Sequence, residues 1–323
     1  MVRRLGALVL LAVVAIGVIR AADALVGSER TTAEENTPGG SVPADDTPAA
    51  TAGVDSSGAA EPGPAVDPTA SVPANDSATP VPSSLPDAAP SSGVPSAGDP
   101  ALVLIAGDSD AGTFGPYLDT LMGDTGVVRT QLDYKVSSGL ARPDFFDWPN
   151  HFREIVPQVN PDIVVVTFGG NDPQGLTDGV KADGSPNFVV GEPTGEGDEE
   201  WRTEYGRRVG DVMDYLSSEG RTLVWVGIPN DDSADVTMRL RVQDEVVRAE
   251  AAKRPQVKFV DTWARFSGRE GGWAEFVIDP RDNQAKDVRA EDGFHLNTPG
   301  AEILALDIAD VIVADLRARG AAI

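Results

Sequence analysis

ALVLIAGDSDAGTFGPYL, residues 101–118, joins an apolar run to a segment of helical spacing through a short polar turn. Its first seven residues carry no charge or strong dipole, the pattern of a strand covered on both faces. FGPYLDTLM then follows helical spacing, so Gly107, Asp108 and Ser109 stand at a strand-to-helix turn. Four further runs repeat the first: VVRTQLDYKV (127–136), DIVVVTFGG (162–170), RTLVWVGIP (221–229) and VKFVDT (257–262). Between them DWPNHFREIVPQV, WRTEYGRRVGDVMDYLSSEG and ADVTMRLRVQDEVVRAEAAK have helical spacing. TPGAEILALDIADVIVADLRAR closes the chain, with Thr298 expected as N-cap and Pro299 at the first helical position. Strands alternating with helices predict an α/β protein, a three-layer α/β/α sandwich around a five-stranded parallel sheet.

Open sheets of this kind place their sites at the carboxyl ends of the strands. Ser109 follows the first strand, Gly139 in SSGL follows the second, and Gly170, Asn171 and Asp172 in GGNDP follow the third. EDGFHLN, with Asp292 and His295, precedes the last helix. A serine hydroxyl is a weak nucleophile near neutral pH and needs a base, itself oriented by a third group. His295 is the candidate base and Asp292 its candidate orienter. The Ser109 and Gly139 amides and the Asn171 side-chain amide are the donor types that an oxyanion requires. Glycine at 139 is expected to let the backbone approach a substrate closely. Asp108, beside the serine, is expected to bond backbone within its turn, and Asp172 to cap its own loop.

The ordered blocks GDS, G, GxND and DxxH resemble the SGNH (GDSL-like) hydrolase superfamily over residues 101 to about 317. The wording of GDSDAGTFGPYL and SSGLARPDFFDWP looks like the extracytoplasmic members of actinobacteria and their relatives. The resemblance implies a flavodoxin-like SGNH fold. It also implies Ser109 as nucleophile, His295 as general base, Asp292 as its orienter, and Ser109, Gly139 and Asn171 as the oxyanion hole. One departure is Asp110, where the usual block has leucine; flanking the nucleophile, it is expected to bear on substrate choice.

Composition sets the surroundings. The 323-residue chain has a formal net charge of -25, which argues against nucleic acid or an anionic lipid surface as partner. Residues 1–26 carry Arg3 and Arg4 before an apolar stretch from Leu5 to Ile19 closed by Arg20, the layout of an export signal. Fifteen helical residues span about 23 Å, short of the ~30 Å hydrocarbon core. Two outcomes stay open: a cleaved signal peptide with Ala22-Asp23-Ala24 as its cleavage site, or an uncleaved membrane anchor with Arg20 snorkelling. Residues 27–99 are rich in Pro, Ala, Ser and acidic groups, and no Lys or Arg occurs between Arg30 and Arg129. Such a segment is expected to be a disordered linker, about 45 Å end to end as flexible coil. Residues 100–323 form the predicted hydrolase domain.

With no cysteine in the chain, disulfides and thiolate metal sites are excluded. DPRDNQAKDVRAED fails as an EF-hand from Asp279, because Gln284 and Ala290 stand where glycine and an acid belong. No metal or cofactor is expected. NDDSAD (230–235) is expected to cap the following helix. Of the two histidines, His151 is expected to be structural. Trp148 and Trp273 are expected in loops near the site, open to sugar stacking but more simply read as loop packing. The segment from Pro173 to Glu200 reads equally as a lid or as disordered chain. The expected activity is an extracytoplasmic serine esterase removing acyl groups, O-acetyl foremost, from cell-wall polysaccharide or peptidoglycan. An O-acyltransferase acting on wall glycan and a non-catalytic wall-binding module are the alternatives.

Overall fold

Ala101–Gly107 forms β1, and its side chains alternate between two separate cores, as the period of a strand demands. Val103 and Ile105 enter one core; Leu104 and Ala106 enter the other. The computed structural model describes residues 93–323. The elements after β1 are α1 (Ser109–Gly123), β2 (Val128–Tyr134), α2 (Trp148–Val159), β3 (Ile163–Thr167), β4 (Leu176–Val180), β5 (Pro186–Val190) and α3 (Glu199–Leu216). Then follow β6 (Thr222–Val226), α4 (Ala234–Ala252), β7 (Val257–Val260), the single-turn α5 (Thr262–Arg265), β8 (Phe276–Ile278), β9 (Ala285–Asp287) and α6 (Thr298–Ala318).

The central sheet has the order β2-β1-β3-β6-β7 with every neighbouring pair parallel. Counted among sheet strands alone, this is the doubly wound 2-1-3-4-5 order of flavodoxin-like folds. Helices α1 and α6 cover one face, through Phe114, Leu118, Ile303, Ile308 and Ile312. Helices α2, α3 and α4 cover the other, through Phe152, Tyr205, Val209 and Val246. The five predicted strands are thus the five strands of the sheet: β1 keeps its predicted bounds, β7 loses residues at its carboxyl end, and β2, β3 and β6 are shortened at both ends.

Several local features differ from expectation. Asn297, not Thr298, caps α6 by accepting from the Gly300 amide at 3.2 Å, which leaves Thr298 and Pro299 inside the first turn. Both residue types cap well, and Asn297 is held in place by its own side-chain bonds to the Asp287 and Arg289 carbonyls. The segment 173–200 contains an antiparallel hairpin, β4 with β5, ahead of α3. A second hairpin, β8 with β9, precedes the turn that holds Asp292 and His295. NDDSAD caps α4 as expected, with Ser233 accepting from Val236 and Asp231 from Ser233. Residues 93–99 form a turn closed by Ser96 and Asp99. The predicted export segment and linker residues 27–92 lie outside the described residues. Among the described residues, no helix is long and apolar enough to cross a membrane.

Candidate active site

Gly107 ends β1 at a φ of 143°, and a Cβ there would lie 2.1 Å from the Thr167 carbonyl oxygen. Only glycine fits so close an approach of β1 to β3. The chain then turns into α1 with Asp108 as N-cap and Ser109 as the first helical residue. The fully buried Asp108 carboxylate accepts from the Asp110 amide at 3.0 Å and from the Gly169 amide at 2.6 Å. It therefore caps its own helix, as expected, and also ties the serine turn to the loop after β3. Burial, then the neighbouring Asp110, pushes the Asp108 carboxyl well above the usual range.

His295 is carried on a tight turn ahead of α6. Ala290 and His295 close it through the Ala290 amide and the His295 carbonyl at 2.8 Å. Within it, Asp292 uses one oxygen to accept from the Phe294 and His295 amides at 3.1 and 2.9 Å. Its other oxygen accepts from His295 Nδ1 at 2.6 Å. A carboxylate only accepts, so this bond places the ring proton on Nδ1 and leaves the Nε2 lone pair facing outward. Nε2 stands 2.9 Å from Ser109 Oγ. Burial pushes the His295 imidazole down, but the charges of Asp110, Asp292 and Asp231 outweigh it and the net shift is upward. Asp292 is pulled the other way: burial raises it, and the bond and charge of His295 bring it below the usual carboxylate range.

The expected oxyanion donors sit on two loops that are braced rather than free. A Cβ at Gly139 would lie 2.0 Å from Asp172 Oδ1, so glycine there makes room for this carboxylate. Asp172 does not cap its own loop; it crosses to accept from the Leu140 and Ala141 amides at 3.0 and 2.8 Å. Tyr205 Oη adds a third donor at 2.5 Å. Burial lifts the Asp172 carboxyl to about 6 despite these donors. Arg208, buried on α3, holds the same loop from behind through the carbonyls of Leu140 at 2.9 Å, Ala141 at 3.2 Å and Thr177 at 2.7 Å. Asn171 is half-buried, and its carbonyl accepts from the Gln174 side-chain amide. Its neighbour Gly170 packs against the Phe294 ring, 2.8 Å from where a Cβ would lie. The loops bearing Ser109, Gly139, Asn171 and His295 are therefore linked at the carboxyl edge of the sheet.

Sequence reasoning missed the arginine that carries the histidine turn. Arg289, 5 % exposed, directs all five of its N–H donors at neutral oxygens. These are the carbonyls of Ala274, Asn230, Phe294 and Phe266 and the Asn230 side-chain oxygen, at 2.7–3.2 Å. Burial lowers its guanidinium to about 10, against the pull of Asp231, Asp110, Asp232 and Asp292. Arginine is usually a surface residue, so its spacing gave no signal. Trp273 supports the same turn by donating to the Gly293 carbonyl at 2.7 Å. Trp148 opens α2 rather than lying in a loop; its ring is fully buried and donates to Ser138 Oγ at 2.8 Å, which removes it from sugar stacking. His151 is paired with Asp133 at 2.6 Å, away from the serine. Among the described residues no group of three or more His, Asp or Glu is placed to hold a metal.

The flavodoxin-like sheet carries Ser109 after its first strand and Asp292 and His295 before its last helix, hydrogen-bonded in series, the arrangement that the resemblance to SGNH hydrolases implied. The chain belongs to the family described as "Protein of unknown function (DUF459)", whose model matches residues 102–311. Among solved structures it is similar to a psychrotrophic esterase from Pseudoalteromonas sp., at 10% identity and a TM-score of 0.44, covering 67% of this chain and 98% of that one. It is also similar to an acetyl-xylooligosaccharide esterase from Geobacillus Stearmophilus, at 14% identity and a TM-score of 0.43, covering 65% and 93%. A GDSL-like lipase from Bacteroides thetaiotaomicron matches at 13% identity and a TM-score of 0.43, covering 66% and 88%. No curated protein matches in sequence.

Proposed function

We propose that the protein is an extracytoplasmic serine esterase that removes acyl groups, O-acetyl foremost, from cell-envelope carbohydrate through an acyl-enzyme. The observation that carries the reading is the unbroken chain from Ser109 Oγ to His295 Nε2, at 2.9 Å, and from His295 Nδ1 to Asp292, at 2.6 Å. In this reading Ser109 attacks the ester carbonyl while its proton passes to Nε2, and Asp292 stabilises the resulting imidazolium. The oxyanion is held by the Ser109 amide at the positive end of α1, the Gly139 amide and the Asn171 side-chain amide. Collapse returns the proton from His295 to the leaving alkoxide and leaves acyl-Ser109. Water, deprotonated by His295, then releases the acid and restores the serine.

The setting rests on the apolar N-terminal segment and the acidic linker, which fit export and a tether into a wall matrix. A panel of O-acetylated polysaccharides and peptidoglycan fragments, assayed for acetate release, tests the substrate. Wild-type protein is expected to release acetate from at least one of them and Ser109→Ala from none. Acetate release by Ser109→Ala at the wild-type rate would overturn the proposal.

A further inference from the structure

The first turn of α1, the ends of β3 and β6, the start of α5 and Leu296 and Leu304 line a cavity of about 10 Å³ beside the turn that carries the nucleophile, room for one water molecule. Three of its lining residues carry a buried polar atom that no group of the protein satisfies: Asp110 Oδ2, Thr167 Oγ1 and Thr262 Oγ1. Asp110 is 8 % exposed and both threonines are wholly buried. Leaving one such atom unpaired costs about 1–3 kcal/mol, so three around one cavity point to a shared partner. A water molecule donates twice and accepts twice. The carboxylate takes one of its protons, and the hydroxyls serve as donor or acceptor as needed. Thr113, a further polar lining residue, donates to the Ser109 carbonyl at 2.9 Å and joins the cavity wall to the peptide of the nucleophile.

We infer that Asp110, Thr167 and Thr262 hold one internal water next to the nucleophile, and that Asp110, so hydrated, is a positioning residue for His295, whose Nε2 meets the adjoining Ser109 Oγ at 2.9 Å. The water site stands on the cavity alone; the catalytic meaning of the second part rests on the esterase reading. Asp110 faces inward, which moves it from substrate choice to the electrostatics of the base. The charged groups around His295 come from every neighbouring element: Asp292 on its own turn, Asp110 on α1 and Asp231 on the loop before α4. The Arg289 charge acts on Asp110, Asp108 lies beside Asp110, and the Asp232 carboxylate packs on Gly293. Asp110 is the first of the charges that lift His295. Burial raises the Asp110 carboxyl above its usual range; a water on it favours the ionised form, and that charge favours the protonated imidazole.

Two measurements on the full chain test this. A crystal structure that resolves ordered water is expected to show one density peak 2.7–3.2 Å from all three oxygens. No peak, or a peak about 2.4 Å from them and hence a cation, would overturn the water site. The imidazole of His295 is followed by NMR titration, which needs no substrate; the chain has 2 histidines, and a His151 variant assigns them. Asp110→Asn is expected to lower the His295 midpoint by about 0.5–1 pH unit. Thr167→Val with Thr262→Val is expected to shift it in the same direction while Asp110 stays in place, because an unhydrated carboxylate keeps its proton. Unmoved midpoints in either folded variant would overturn the role of Asp110. An inactive wild type with shifted midpoints in the variants would count against the esterase reading and not against this one.

Discussion

Replacing Gly139 by alanine places a methyl group 2.0 Å from Asp172 Oδ1 and 2.7 Å from its Cγ. Contacts below 3.0 Å do not persist, so the carboxylate or the loop must move by roughly 1 Å. The carboxylate is not a flexible end: the Leu140 and Ala141 amides and Tyr205 Oη hold it, and it is fully buried. Weakening that set costs on the order of 2–4 kcal/mol, within the range for a disrupted buried polar network. For a domain of this size that lowers Tm by about 2–4 °C for each kcal/mol. Moving the loop instead displaces the Gly139 amide from its proposed place at the oxyanion, and loss of one such donor is expected to cost about 10²–10³ in kcat. Thermal unfolding and ester turnover of Gly139→Ala, measured side by side, check both consequences. Unchanged Tm with turnover within about threefold of wild type would refute the bracing of this loop by Asp172.

Other outcomes follow from the same geometry. Activity is expected to rise with pH as His295 loses its proton, since only the neutral ring accepts from Ser109; its raised affinity puts the midpoint of kcat/KM above 6.5. A profile flat from pH 5 to 8 would contradict His295 as base. Asp292→Asn removes the acceptor that fixes the Nδ1–H form, and kcat is expected to fall by about 10³–10⁴ while near-UV circular dichroism keeps its native shape. Arg289→Lys keeps the charge but loses the planar fork, stranding carbonyls from four segments; Tm is expected to drop by about 5–10 °C and kcat to fall with it. Wild-type Tm in Arg289→Lys would contradict the role of that side chain as the support of the histidine turn.

The sheet was legible because β1, β3 and β6 are buried on both faces and must be written in apolar, β-branched residues. The two hairpins were not: β4 reads LTDGV and β9 reads AKD, too short and polar to show alternation. Ser109, Asp292 and His295 were readable because chemistry restricts each position to one or two residue types. Gly139 was readable as a necessity but not for its reason, since the atom that demands glycine belongs to Asp172, on another loop. Arg208 and Arg289 left no trace in spacing because what fixes them is main-chain carbonyls, which every residue carries. Asp110 drew notice as a departure from a pattern, and only the cavity on its inner side gave that departure a physical meaning.

The proposed chemistry requires that Ser109 be a nucleophile activated by His295. Intact-mass and peptide spectrometry after treatment with a fluorophosphonate probe tests it most directly. One covalent adduct on Ser109 is expected, absent from Ser109→Ala and formed far more slowly in His295→Ala. An unlabelled wild-type protein, or equal labelling rates in wild type and His295→Ala, would contradict it.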